Sequence, residues 1–268
     1  MESLRLLGTL AAMPGPPENT EAVLAACWAL QLQSMHLSDG FHESFILTDL
    51  ITRLSLWTKD MERTATSIPP LGHRYSSGID SRIWVSARAS MEESVLIYGE
   101  EHIQRFARLL LDTITASTTS VEQGAAAYHR LLVGFGNIPQ AERNNILFGR
   151  GLASRVIAAH FLAVSLLMSA VAFTQDCDLQ ICPLSCIPRW IEDIRTEIEL
   201  KHSRAETWRI LWPVMVAESS KRLGHSSAEN WVSLSSFFDY IQQNPNDFIL
   251  QPQGTTLARH RTKSAQPC

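Results

Sequence analysis

The sequence has 268 residues, of which 45% are hydrophobic, and 23 basic and 27 acidic residues give a formal net charge of −4. A chain of this size can bury a substantial core as one large domain or two small ones. The acidic balance leaves no electrostatic footprint for nucleic acid, and five cysteines are not the even set of a disulfide framework. We therefore expect a protein of the nucleus or cytoplasm that does not bind specific DNA by itself.

The first part of the chain has the pattern of amphipathic helices separated by breaks. Prolines near residues 13–20 interrupt helix formation, so residues 1–20 are interpreted as an extension ahead of the domain. Apolar residues at steps of three and four predict helices over 21–37 and 44–61. After a long irregular loop, Asp80 is placed to cap the next helix.

The helix that Asp80 caps and the helix after it are followed by a polar segment. Their predicted inner faces are formed by apolar residues, namely Ile83, Trp84, Ala87, Met91 and Val95 in the first and Ile103, Phe106, Leu109, Leu110 and Ile114 in the second. Residues 115–120, TASTTS, predict a linker. Ser120 precedes Gln123 by three residues, which is the spacing of a helix-capping box.

Residues 152–173 are the most apolar window of the chain. After Arg155 only His160, Ser165 and Ser169 interrupt the apolar run. A helix that is apolar on all sides is either the centre of a helical domain or a membrane span. We interpret it as a buried central helix and predict no membrane association, because its length is at the lower edge for a span and both Arg155 and His160 oppose insertion.

The last third combines a turn-rich segment with three predicted helices. Pro188 can begin the first of them, and a helix over 203–224 is predicted to carry one apolar stripe made of Trp208, Leu211, Trp212, Met215 and Val216. Pro213 is expected to bend that helix and leave a gap beside the central one. The last helix ends before Pro245, and residues 246–268 are interpreted as a polar, disordered tail.

No stretch alternates apolar and polar residues as a strand would. The predicted fold class is therefore all-α, with nine or ten helices packed around the central apolar helix in a single domain over 21–245.

Residues that carry chemistry are sparse. Cys177, Cys182 and Cys186 have no spacing typical of a zinc site, and no nucleophile or phosphate-binding motif is present, so we predict no catalytic residues, metal or cofactor. For ligand binding the candidates are His160, Trp208 and Trp212, which together would line an apolar pocket, although tryptophans at helical spacing are also typical of a core.

Several features in order resemble a known family. They are amphipathic helices in the N-terminal half, SRVIAAHFLAVSLLM from Ser154, IPRWIEDI from Ile187, and ILWPVMVAESSKR from Ile210. This order resembles the fungal-specific transcription factor domain, the helical region that follows the binuclear zinc cluster in many fungal regulators. The resemblance is best over residues 150–240. The six-cysteine zinc cluster of that family is missing here, so DNA binding is not implied.

The resemblance implies a regulatory or protein-interaction domain, with a protein partner or a small-molecule effector, linked to fungal secondary metabolism. The chain would then be a truncated regulator, a standalone regulator or a copy recruited to another role. The alternative hypothesis is an enzyme of a biosynthetic pathway, of the cyclase or isomerase type, in which an apolar pocket shapes the substrate and His160 supplies an acid or base.

Overall fold

The structure is a computed structural model that describes residues 78–95, 100–172, 186–226 and 234–250, with single positions between 22 and 47. The four described ranges contain eight α-helices: α1 (Ser81–Val95), α2 (Glu101–Thr119), α3 (Val121–Gly136), α4 (Gln140–Phe148), α5 (Leu152–Ala172), α6 (Ile187–Lys201), α7 (Leu211–Ser226) and α8 (Leu234–Gln243). The same ranges contain two 3₁₀-helices, η1 (Arg204–Ile210) and η2 (Pro245–Phe248).

The all-α prediction is confirmed, since the described ranges are helical and contain no strand. The helices predicted over 21–37 and 44–61 lie outside the described residues, apart from single positions, so the described helices are slightly fewer than predicted.

Local sequence signals set several helix starts. Asp80 accepts a hydrogen bond from the backbone N–H of Arg82 at 2.9 Å and so caps α1 as predicted. Ser120 is both the C-cap residue of α2 and the N-cap residue of α3, and its hydroxyl accepts a hydrogen bond from the Gln123 N–H at 3.2 Å. The capping spacing in the sequence was therefore sufficient to place the start of α3.

The predicted linker over 115–120 is wrong, because α2 continues to Thr119. Hydroxyl side chains inside this helix donate hydrogen bonds to backbone carbonyls one turn earlier. Thr113 donates to the Leu109 carbonyl at 2.9 Å, and Ser117 donates to the Thr113 carbonyl at 2.8 Å. Their usual preference for turns is overridden by packing of the apolar face of α2. Gly124 of α3 also crowds Ser117, where an added Cβ would lie 2.5 Å from its hydroxyl, so α2 and α3 pack closely.

Helix α5 is the centre of the described domain and contacts each of the other seven α-helices. Every side chain from Val156 through Val164 is buried. By length and composition Leu152–Val171 would suffice to cross a bilayer, yet 83% of its most apolar window is buried inside the protein. Such burial is typical of a core helix, whose apolar surface is covered by neighbouring helices.

Arg155 ties the start of α5 to two other helices. Its guanidinium donates to the carbonyl oxygens of Leu147 and Phe148, at 3.3 and 3.0 Å, and so satisfies the end of α4. Its Nε also lies 2.9 Å from the carboxylate of Glu197 on α6, and both side chains are mostly buried. The charged guanidinium of Arg155, which opposes membrane insertion, thus joins α4, α5 and α6.

The Trp-Pro region differs from its prediction. The single helix expected over 203–224 is divided into η1 and α7, which runs on to Ser226. Pro213 is the third residue of α7, within its first turn. The change from 3₁₀ to α-helix lies ahead of this proline.

The packed chain extends to Leu250 rather than stopping at residue 245. Phe248 is fully buried, and Ile249 and Leu250 pack against the core. We call residues 245–250 the strap. The prediction that residues 246–250 belong to a polar tail is therefore wrong; residues 251–268 lie outside the described residues.

Candidate functional site

His160 lies at the middle of α5 and is fully buried. Its Nδ1 is 2.9 Å from the carbonyl oxygen of Val156, one turn earlier, and its Nε2 is 2.9 Å from the hydroxyl of Ser90 on α1. Both ring nitrogens are therefore occupied by partners within the protein.

The partners determine the tautomer of His160. A carbonyl oxygen can only accept, so Nδ1 carries the proton and donates to Val156. In the neutral ring Nε2 is then an acceptor, and the Ser90 hydroxyl donates to it. Burial lowers the pKa of His160 from 6.5 to about 4, because a charged ring would lose its hydration. His160 is thus a neutral ring held in one orientation.

Trp212 covers one face of this imidazole. The two rings are nearly parallel, at 22°, and their centroids are 6.1 Å apart. The indole is fully buried, and its Nε1 donates to the carbonyl oxygen of Phe248 at 3.1 Å. The structure therefore brings together two of the three predicted ligand-binding residues, His160 and Trp212, and stacks their rings against each other.

Trp208, the third predicted residue, lies elsewhere. It is 41% exposed, and the guanidinium of Arg209 lies 4.6 Å from its ring centroid. Arg209 is also paired with Glu206 in the same 3₁₀-helix. The predicted stripe fails at Trp208 because this residue belongs to η1 and Trp212 to α7, so the four-residue spacing does not place both on one helix face.

Sequence reasoning missed a row of three buried serines on α1, which we call the serine seam: Ser86, Ser90 and Ser94. Each binds a different element. Ser86 accepts from the Leu250 N–H at 2.7 Å, and Ser90 donates to His160. Ser94 donates to the Ser90 carbonyl at 2.8 Å and lies 3.4 Å from the Arg209 carbonyl oxygen. The four-residue spacing beside an apolar face was a usable signal.

The groups around His160 resemble a catalytic arrangement, but a substrate cannot reach them from solvent. A hydroxyl, an imidazole and an orienting acceptor stand in the order found in serine hydrolases. Here the orienting group is a backbone carbonyl rather than a carboxylate, and His160 and Trp212 are both 0% exposed. The arrangement satisfies buried polar groups and fixes the contacts of α1 with α5.

The described residues include no group of three or more histidine, cysteine or carboxylate side chains arranged to hold a metal. Cys177 and Cys182 lie outside these residues. Cys186 is buried at the start of α6, and burial raises the pKa of its thiol to about 12, which disfavours the thiolate that binds zinc.

Comparison of the chain with protein-family models, curated proteins and solved structures gives no match.

Proposed function

We propose that this chain is a helical regulatory domain that acts through contacts with another protein or a small-molecule effector, in the nucleus or cytoplasm, without binding specific DNA itself. The proposal starts from the resemblance of residues 150–240 to the fungal-specific transcription factor domain. In that family such a helical region is joined to a DNA-binding module.

The observation that best supports a non-catalytic role is the use of His160. An acid or base must present a nitrogen to its substrate. In His160 one nitrogen donates to Val156 and the other accepts from Ser90, and the ring is fully buried under Trp212. The group that the enzyme alternative depends on is therefore employed in packing, which favours the regulatory reading over a cyclase or isomerase.

The proposal is tested by tethering. The full chain, fused to an unrelated DNA-binding module, is expected to change transcription of a fungal reporter that carries the module's binding site. The module alone and a fusion carrying Phe161→Ala, which we expect to be strongly destabilised, are the matched controls. Reporter output equal to that of the module alone, at equal protein level, would contradict a regulatory role in transcription.

A second measurement addresses DNA. The isolated chain is acidic, with a net charge of −4, so it is expected to show no preference for one duplex over scrambled competitors at physiological salt. Retention of such a preference would require a recognition element that the proposal does not contain.

A further inference from the structure

The strap is held in a way that resembles a bound peptide. Two side chains of α7 donate to its backbone: Trp212 Nε1 to the Phe248 carbonyl at 3.1 Å and the Ser219 hydroxyl to the Asp247 carbonyl at 3.0 Å. From the other side, Ser86 of α1 accepts from the Leu250 N–H at 2.7 Å. These contacts are made to main-chain groups, so they depend little on the side chains of the strap, whose residues 245–248 form the 3₁₀-helix η2.

One side chain of the strap supplies the apolar anchor. Phe248 is 0% exposed, and its ring lies edge-on to Phe237 and Tyr240, with centroids 6.2 Å away in both cases. A buried aromatic anchor surrounded by backbone hydrogen bonds is typical of a peptide-recognition groove.

A carboxylate precedes the anchor. Asp247 accepts from the Tyr240 hydroxyl at 2.7 Å, and its carboxylate lies 3.5 Å from the guanidinium of Arg222. The groove thus provides a hydroxyl donor and a guanidinium group for an acidic side chain, next to the slot for an aromatic one.

We propose that the groove between α1, α7 and α8 is a peptide-binding site, occupied here in cis by the strap. Its partner is a protein segment that can form the short 3₁₀ turn of the strap and carries an acidic residue followed by an aromatic and an aliphatic one, as in Asp247-Phe248-Ile249. This inference rests on the proposed interaction role and specifies its surface. The strap excludes such a segment until it is displaced, since a tethered ligand has a high effective concentration.

The test cuts the strap free in the folded chain. A specific protease site is inserted between Asn244 and Pro245 of the full chain, and a labelled peptide of residues 244–252 is titrated in by fluorescence anisotropy before and after cleavage. Cleaved protein is expected to bind the peptide at least about tenfold more tightly than uncut protein, because the competing strap is no longer tethered. Equal binding by both forms would overturn the proposal.

Variants of the peptide and of the groove sharpen the result. A peptide with Phe248→Ala is expected to bind about 100-fold more weakly, whereas Ile249→Ala, at a half-buried position, should change binding by no more than about threefold. Trp212→Phe in the protein keeps an aromatic ring but removes the donor to Phe248, and should weaken binding about tenfold. Equal affinity of both peptides would contradict the anchor.

An uncleaved variant tests the proposal without the risk that cleavage unfolds the protein. Full-length Phe248→Ala has a weakened strap and is expected to bind the labelled wild-type peptide while the parent does not. Absence of binding by this variant, with its helical circular dichroism intact, would overturn the proposal.

Concentration-dependent dimers that exchange straps, with no binding of the peptide, would overturn the proposal of a partner segment and assign the groove to a second copy of the chain. A negative peptide result beside an active reporter fusion would reject the groove alone, whereas the reverse would reject the transcriptional role.

Discussion

The two sides of α5 are packed through different kinds of contact, although Phe161 on one side and His160 on the other are neighbours in sequence. Phe161 meets Phe106 of α2 and Phe135 of α3, with ring centroids 5.5 and 6.2 Å away. His160 meets Ser90 of α1 through a hydrogen bond and Trp212 of α7 by stacking. One side is an apolar aromatic cluster, and the other is a buried polar network.

The difference shows how stability and specificity are divided in this core. Apolar contacts depend on area and volume and tolerate many arrangements of similar size. Hydrogen bonds between buried groups depend on direction, and an unmade one costs the desolvation of its partner. We infer that the Phe161 side supplies most of the stability, whereas the His160 side fixes which residues of α1, α5 and the strap meet.

The largest effect is expected on the aromatic side. Phe161→Ala removes a ring that is 3% exposed, and should lower the free energy of unfolding by about 3–5 kcal/mol in chemical denaturation. Phe161→Leu is the control and should cost far less, since it refills most of the volume. A Phe161→Ala variant as stable as the parent would contradict the packing, and recovery of the intact protein with membranes would contradict the burial of α5.

A pH effect is expected on the polar side. The pKa of His160 falls from 6.5 to about 4 on folding, so the unfolded chain takes up a proton over a range in which the folded chain does not. The stability that neutral His160 allows is complete above pH 6.5 and is lost as pH falls towards 4, by about 3 kcal/mol.

Thermal or denaturant unfolding between these pH values measures this loss, and His160→Leu is the matched control because it cannot titrate. The difference in unfolding free energy between parent and variant should shift by that amount over the interval. Parallel profiles for the two proteins would show that His160 is not a neutral buried group.

A smaller effect is expected from the partner of His160. Ser90→Ala leaves Nε2 buried without its donor and should cost about 1–3 kcal/mol. His160→Leu removes both polar ends and should be milder for folding than Phe161→Ala, yet harmful to any ligand response. The double variant Ser90→Ala/His160→Leu should cost less than the sum of the single ones. Strict additivity in denaturation would show that the two side chains do not interact.

No effect is expected from the cysteines. Protein purified without chelator should contain no stoichiometric zinc, and Cys182→Ser should leave its helicity unchanged. Near-stoichiometric zinc that is lost with helicity in this variant would contradict the expectation.

Patterns along the chain were sufficient for the helices and for the aromatic side of the core. The period of the apolar residues placed Ile83, Phe106 and Ile114 inside, and the caps at Asp80 and Ser120 lie where the spacing put them. Both signals are local, so a single sequence contains them.

The polar side could be predicted only in part. His160 and Trp212 were identified, but their mutual stacking depends on contacts between helices that are distant in sequence. Trp208 was misplaced because it lies in a 3₁₀-helix, which has three residues per turn, whereas the prediction assumed one continuous α-helix. Phe248 was assigned to the tail because a short apolar stretch among polar residues gives no period.

The most direct test of the account is the protonation state of His160, observed by long-range ¹H–¹⁵N correlation spectroscopy of the imidazole across pH. We expect a neutral ring with the proton on Nδ1 that persists below pH 5, because Val156 accepts from Nδ1 and Ser90 donates to Nε2. A proton on Nε2 in the neutral ring, or titration near the ordinary value of 6.5, would contradict the buried network on which the account depends.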